Sequence, residues 1–405
     1  MSISDTEISG HLPEPNAKLQ ALMKKARIPG ISIASLTEGG LAQNSALGFA
    51  DMQSGELVSE DTVFGAASLS KPVFAYLVLK LIEKGELDSD FLDTPLHQTL
   101  PEYKPFFQNS TLAIPGKVRF DSSEAGRAMT ARLVVSHRTG LDNWINPEKT
   151  FEFHIGNKFG YSGEGFHYLQ EVIEHRTGQS LQQLAKTHVF DPIGMPHSSF
   201  SVPKETQPGL AVGHDTEMNP KQSTDKLEEN AGASLHTTAK DYARFLVASL
   251  HENDPIFTDY LEPTVLVTEN ATAKESVSWS LGWGLQHTER ARVAFHWGDK
   301  PNFKAFTAIN LDNRSAIVYF TNSQNGLAMT QEIVDAFAPN IGSLKPSLDY
   351  LEEKYGYQKM DDTPGWEQRY DALVAEIRGG YHLALELFTE ASGLNPDNTM
   401  TQPRL

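Results

Sequence analysis

Ser68-Leu69-Ser70-Lys71-Pro72-Val73-Phe74-Ala75-Tyr76-Leu77-Val78 sets a hydroxyl and an amine three residues apart at the head of an apolar series. Val73, Phe74, Leu77, Val78, Leu81 and Ile82 recur at helical spacing, so the stretch reads as a buried helix. Pro72 falls in its first turn, where a missing N–H does little harm, and Gly85 follows Lys84 as a stop. Residues three apart share one face of a helix, so the Lys71 amine can reach the Ser68 hydroxyl. A serine needs a base to become a nucleophile, and a lysine held out of water can be that base. The alternative is an ordinary serine and lysine at the exposed start of a core helix.

The pattern S-x-x-K alone is weak, because Ser201/Lys204 and Ser223/Lys226 also satisfy it. Ser201 leads into a segment with two prolines and a glycine, which argues for loop. Ser223 sits in a polar, solvated stretch, so only Ser68 heads an apolar helix.

At 405 residues the chain is long enough for two substantial lobes. Its 52 acidic against 34 basic residues give a formal net charge of −18, which disfavours nucleic acid as a partner. With no cysteine, disulfides, thiolate metal sites and cysteine nucleophiles are excluded. The 14 histidines show no metal-binding spacing, and no glycine-rich phosphate loop is present, so no metal or other cofactor is expected. No segment approaches the ~20 apolar residues that span a bilayer. The opening residues lack a basic stretch followed by an apolar one, so a cytoplasmic protein without membrane partner is the expectation. A periplasmic location would require a leader removed before Met1.

Along the chain, residues 31–37 read as a strand with 45–50 as its hairpin partner after Glu38-Gly39-Gly40. Helical patterns dominate from about 90 to 280, including 164–177, with Phe166, Leu169, Val172 and Ile173 as its stripe, and 241–250. Strand character returns at 281–287, 293–297, 305–311 and 316–321, with 298–302 and 312–314 as turns. Strands at both ends with helices between predict a mixed α/β (α+β) fold: one antiparallel β-sheet flanked by helices, with an inserted all-helical lobe. The sheet lobe takes about 15–90 plus 281–345 and the helical lobe about 91–280, with the site expected between them. Residues 346–405 form a helical C-terminal extension, with helices after Pro364-Gly365 and Gly379-Gly380. Leu383, Leu387 and Phe388 are expected as the apolar face of the second. The pair resembles one tetratricopeptide-type unit, but a single copy cannot bury its own face, so packing on the main domain is preferred.

Taken in order, four stretches resemble the serine β-lactamase and penicillin-binding protein superfamily, nearest its class C β-lactamase and family VIII esterase-like branch. Phe64 to Lys71 resembles the nucleophile motif, and Thr130 to Leu141, with His137 and Gly140, a segment of that branch. Tyr161-Ser162-Gly163 resembles the Tyr-x-Asn motif, and His296-Trp297-Gly298 the Lys-Thr-Gly or His-x-Gly motif on the sheet's edge. Ala231 to Leu235 and Asp241 to Leu246 echo it further, and the likeness runs from about residue 15 to 330. It implies a β-lactamase/transpeptidase-like catalytic domain over residues 1–345.

The resemblance implies Ser68, Lys71 and Tyr161 as the catalytic set, with the backbone N–H groups of Ser68 and Asp299 as oxyanion hole. Tyr161 would protonate the leaving group, provided a nearby ammonium such as Lys71 favours its phenolate. His296, Trp297, Gly298 and Gly163 would line the substrate, Gly298 permitting close backbone approach. For His296 the alternative is a strand-end histidine satisfied by a carbonyl. A second His-x-Gly, His154-Ile155-Gly156, shows how common that pattern is. His137 belongs to the resemblance, but nothing in the sequence sets it beside Ser68, and it reads as structural.

Gly163 stands where the family has asparagine, and His296 where it has lysine. Both losses weaken recognition of a β-lactam or D-Ala-D-Ala terminus more than they weaken attack. A serine hydrolase acting on ester, amide or β-lactam acyl compounds is therefore expected, with carboxylesterase-like activity favoured. A β-lactamase or D-aminopeptidase is the alternative within enzymes, and an inactive peptide-binding or sensor protein the alternative outside them. Its partner is a small acyl substrate, and the sequence sets no oligomeric state.

Overall fold

The computed structural model describes residues 14–104, 118–144, 155–156, 158–201, 209–221, 228–268, 275–356 and 364–395. Helix α1 (Glu14–Ala26) leads into β1 (Gly30–Thr37), β2 (Gly40–Asp51) and the short β3 (Glu56–Leu57). After the helical lobe come β4 (Val265–Leu266), β5 (Glu275–Trp279), β6 (Gly284–Thr288), β7 (Arg292–Lys300), β8 (Phe303–Asn310) and β9 (Ser315–Thr321). These nine strands form one sheet in the order β4-β5-β6-β7-β8-β9-β1-β2-β3, every neighbouring pair antiparallel, and three two-stranded pairs lie outside it among the described residues. The N- and C-terminal strands meet where β1 pairs with β9, Ile33 opposite Tyr319.

Both faces of this sheet are covered, which explains why its strands read as apolar runs rather than clean alternations. Ile31, Ile33, Ile317 and Tyr319 point to one face, against α1 and the helix α5 (Thr330–Phe337). Ala34, Leu36, Val318 and Phe320 point to the other, against the helical lobe. Each fully buried side chain of this size contributes about 1.5–3 kcal/mol, so a charge at Val318, which is 0% exposed, would break the joint between lobe and sheet.

Helix α2 (Ser70–Glu83) runs through the centre of the molecule, and every residue from Ser70 to Leu79 is buried. It ends where Lys84 caps it and Gly85 turns left-handed at φ 74°. Helix α3 (Gly163–Thr177) starts where the Ser162 hydroxyl accepts the Gly165 N–H and stops at Gly178, φ 69°. Its expected stripe, Phe166, Leu169, Val172 and Ile173, is buried. Helix α4 (Ala239–His251) begins at the Thr238 cap and packs on β1 and β9.

The structure departs from the sequence reading in several places. Val265–Leu266 and Glu275–Trp279, expected in the helical lobe, supply β4 and β5 to the sheet. The strand expected at 281 starts at Gly284, because Gly282 at φ 92° turns the chain under α2. The turn expected over 298–302 is confined to Pro301-Asn302, so Gly298 to Lys300 are strand. Helix α6 (Lys345–Tyr355) packs its Tyr350 and Leu351 on the sheet, and the expected C-terminal extension begins within it.

Helices α7 (Trp366–Ile377) and α8 (Tyr381–Leu394) follow, and they lie on the main domain rather than alone. Trp366, Tyr370, Leu373 and Phe388 bury against Phe49 and Met52, Lys24 pairs with Asp371 at 2.6 Å, and the Arg27 guanidinium lies 4.2 Å from the centre of the Trp366 ring. Leu383, expected on the apolar face, is 52% exposed; α8 turns Ala384, Phe388 and Ala391 inward instead. Among the described residues, no helix is long and apolar enough to cross a membrane.

Candidate active site

The candidate nucleophile sits on a short 3-10 turn, Ala67–Leu69, feeding α2. Ala67 takes the left-handed conformation at φ 48°, a strained choice for alanine that lifts Ser68 out of the helix line. Ser70 locks the turn from below: its hydroxyl donates to the Ala67 carbonyl (2.6 Å) and accepts the Leu235 N–H (3.0 Å). Ser68 itself is half-buried.

Lys71 is fully buried, and its Nζ lies 3.0 Å from Ser68 Oγ and 2.8 Å from the Gly232 carbonyl. Burial lowers its pKa to about 7, because the ammonium has lost its water and no carboxylate replaces it. Desolvation, the cause expected from the sequence, accounts for this shift. The ammonium lies over the Tyr161 ring, 4.8 Å from its centre, and 5.6 Å from that of Phe166.

Tyr161 therefore joins Ser68 and Lys71 in one crevice, though not as a phenolate. Burial pushes its phenol well above the usual range, the Ser68 hydroxyl opposes that push, and Tyr355 and Asp299 add to it. Its oxygen is within electrostatic reach of Ser68, yet no hydrogen bond of good geometry joins them. Lys71 faces the ring rather than the oxygen, so the expected phenolate is replaced by a neutral phenol beside a lysine of low basicity.

His137, read from sequence as structural, lies directly against Tyr161. The two rings stack with centroids 4.4 Å apart at 28°. The His137 carbonyl accepts the Gly160 N–H (2.8 Å), and its Nδ1 accepts the Ser162 N–H (3.0 Å). Both neighbours of Tyr161 in the chain are thus tied to one residue. Because a backbone N–H only donates, Nδ1 is the acceptor and the imidazole is the neutral Nε2–H form. Burial, then Lys71 and His296, keep its pKa well below the ordinary range. The only signal in the sequence was the motif around it.

His296 is fully buried, and its Nδ1–H donates to the Trp297 carbonyl at 2.8 Å. Burial and the proximity of Lys71 lower its pKa to about 3, so it is uncharged at neutral pH. The ring is satisfied by a carbonyl, as in the alternative reading, but in mid-strand rather than at a strand end, and an imidazole with no exposed surface gives a substrate nothing to touch directly. Trp297, 3% exposed, is packed between His296 (5.2 Å), Tyr161 (5.2 Å) and Tyr355 (5.1 Å).

Strand β7 lies inside the sheet, not at its edge, but β6 pairs with it only as far as Gly284 opposite Phe295. Residues 296–300 project beyond, and the nucleophile turn lies against them. A Cβ at Gly298 would stand 2.4 Å from the Ala66 carbonyl, so the close approach that glycine permits is to the nucleophile turn, not to a substrate. Asp299 follows with its amide on this projecting segment, and its carboxylate pairs with Lys304 at 2.8 Å.

At Gly163 a side chain has no room: a Cβ would meet the Trp144 indole at 2.7 Å. The Gly163 N–H is already bonded to Asn143. Ser223, Lys226, Lys204 and His154, the members of the competing motifs, lie outside the described residues. No group of three or more potential metal ligands occurs among the described residues.

Comparison with known proteins agrees with this geometry. A family model described as Beta-lactamase matches residues 16–336. Protein flp of Staphylococcus aureus strain MW2 is 23% identical over 307 residues, 74% of this chain and 61% of that protein. The chain thus spans about three fifths of the length of that relative. A D-aminopeptidase of Gluconobacter oxydans is 20% identical over 390 residues, 90% of this chain and 71% of that one. Among solved structures, a class C β-lactamase from Rhodobacter sphaeroides superposes with TM-score 0.62 at 17% identity, over 79% of this chain and 98% of that one. An octameric penicillin-binding protein homologue from Pyrococcus abyssi gives 0.63 at 18%, over 82% and 79%. These likenesses establish the fold expected from the sequence.

Proposed function

The chain belongs to the β-lactamase family, and from that membership we propose that it is a serine hydrolase working through an acyl-enzyme, with carboxylesterase-like activity on substrates that lack a carboxylate. The observation that carries this reading is the 3.0 Å contact between a lysine with pKa about 7 and the Ser68 hydroxyl. Near neutral pH a large share of Lys71 is unprotonated, so its amine takes the Ser68 proton as Oγ attacks the acyl carbon. The amides of Ser68 and Asp299 hold the oxyanion, a donor of this kind contributing about 3–4 kcal/mol. Tyr161, a neutral phenol, gives its proton to the departing group and regains one from the Lys71 ammonium, which faces its ring, by way of the water that enters as the group departs. Water then attacks the acyl-enzyme, passes a proton back through the same groups, and releases the acid.

Preference for uncharged esters is supported by the charges around Ser68. His296 is neutral where the family has a lysine, and the nearby Lys304 ammonium is already paired with Asp299. Neither of these two described residues offers a substrate carboxylate a spare cation. The family asparagine is also missing, its room filled by Trp144.

A second reading, amide cleavage in D-amino peptides, is favoured by one observation: the similarity to a D-aminopeptidase extends over 90% of this chain. An inactive binding protein is disfavoured by the intact contact between Lys71 and Ser68.

Mass spectrometry after incubation with a fluorophosphonate tests the core of the proposal. Folded protein should gain one adduct on Ser68, and Lys71→Ala should gain none at matched exposure. An unlabelled Ser68 in folded protein would end the hydrolase reading. Turnover of p-nitrophenyl acetate above that of nitrocefin and D-alanine p-nitroanilide supports the esterase; the reverse order overturns it.

A further inference from the structure

A cavity of about 640 Å³ opens against Tyr161 without reaching Ser68. Four aromatic residues stand in an otherwise largely polar wall: Phe159 and Tyr161, and Tyr350 and Tyr355 of α6. Tyr355 is 39% exposed and stands 5.1 Å from Trp297 and 6.3 Å from Tyr161, ring centre to ring centre. Helix α6 lies beyond residue 336, where the match to the family model ends. Glu275, Asp349 and Glu353 outnumber Lys354 among the described lining residues.

We propose that this cavity is a leaving-group subsite, which takes an uncharged aromatic alcohol portion of the substrate and rejects a carboxylated one. The assignment rests on the serine hydrolase reading. The group that receives the Tyr161 proton is the group that departs; the Tyr161 oxygen itself is enclosed, and the cavity meets the residue that carries it, so we assign the cavity to the departing side of the scissile bond. A volume of this size suits a small organic ligand, and these aromatic residues favour a flat apolar group stacked or edge-on. The surplus of carboxylates makes the same pocket unfavourable for an anion.

The test holds the acyl group constant and varies the alcohol: methyl, benzyl and 4-carboxybenzyl acetate, with Ser68 labelling measured in parallel. Benzyl acetate should exceed methyl acetate in kcat/KM by about tenfold or more, and 4-carboxybenzyl acetate should lose that advantage. In Tyr355→Ala the benzyl to methyl ratio should fall to within about threefold, whereas Tyr355→Phe, which keeps the ring, should preserve it. Failure of Ser68 to label removes the hydrolase reading and this one together. Normal labelling with equal turnover of methyl and benzyl esters, with neither ester accepted, or with a ratio untouched by Tyr355→Ala, overturns the subsite alone.

Discussion

The rings of His137 and Tyr161 stack 4.4 Å apart, and His137 accepts the backbone N–H groups of both Gly160 and Ser162. One residue thereby fixes the height, tilt and backbone of the candidate proton donor. Losing it would let the phenol drift from Ser68, and small misplacements of a reacting group are costly. In His137→Phe the stack survives but the Ser162 N–H is orphaned, at about 1–3 kcal/mol of stability. In His137→Asn the acceptor can survive but the stack is lost. Both variants should lower kcat for ester turnover by about 10- to 100-fold with little change in KM. A kcat within threefold of the parent in both would reduce His137 to a packing residue.

Lys71 sets the expected pH dependence. Its pKa is about 7 in the folded chain against 10.5 in the unfolded one. As pH rises through about 7, the free base appears, so kcat/KM should climb to a plateau with an apparent pKa near 7. Stability follows the same shift with a different window. Below 7 both states hold the proton; between 7 and 10.5 only the unfolded chain does, so stability rises with pH across that interval. Keeping the amine buried and unprotonated at pH 7 costs about 4–5 kcal/mol. Lys71→Met should be inactive and should lose most of this slope. Urea unfolding at pH 7 and pH 9.5 would reveal it, and identical slopes for parent and variant would contradict the burial argument.

Gly298 is the second packing constraint on the nucleophile. Adding one methyl would drive it to 2.4 Å from the Ala66 carbonyl, and backbone cannot yield as a side chain can. Gly298→Ala should therefore shift the Ser68 turn and cut fluorophosphonate labelling about 100-fold or more. It should also lower stability by about 1–3 kcal/mol. Unchanged labelling would mean that β7 and the turn can separate at little cost.

Gly163 and Trp144 form a paired constraint. Gly163→Asn, which restores the family's residue, meets the indole at 2.7 Å and should destabilise by about 1–3 kcal/mol without creating nitrocefin turnover. Removing the indole in Trp144→Ala should relieve much of that loss, giving a non-additive double-mutant cycle. Additive effects in thermal unfolding would show that Trp144 does not hold the space.

The strands at both ends and the helices between them were legible because their apolar periodicity is local. β4 and β5 were not, because Glu275-Ser276-Val277-Ser278-Trp279 is short and polar, and it becomes a strand by pairing with β6. The extent of β7 was underestimated for a related reason. Gly298, Asp299 and Lys300 look like turn residues, yet β8 pairs with all three. Leu383 shows the converse error, an apolar residue assigned inward that the docked helix pair leaves exposed.

The sequence by itself determined the Ser68 and Lys71 pair, since residues three apart at a helix start meet through backbone geometry alone. It also determined the sheet that carries β7, since side chains two apart share a face. Only the tertiary structure decided that Gly232, from a distant loop, holds the lysine, that His137 braces Tyr161, and that α6 walls a cavity beside it. It decided the charges too, because a lysine near pKa 7, a neutral phenol and two neutral imidazoles follow from exclusion of water. Burial of that kind is created by segments far apart in the chain, and no local spacing records it.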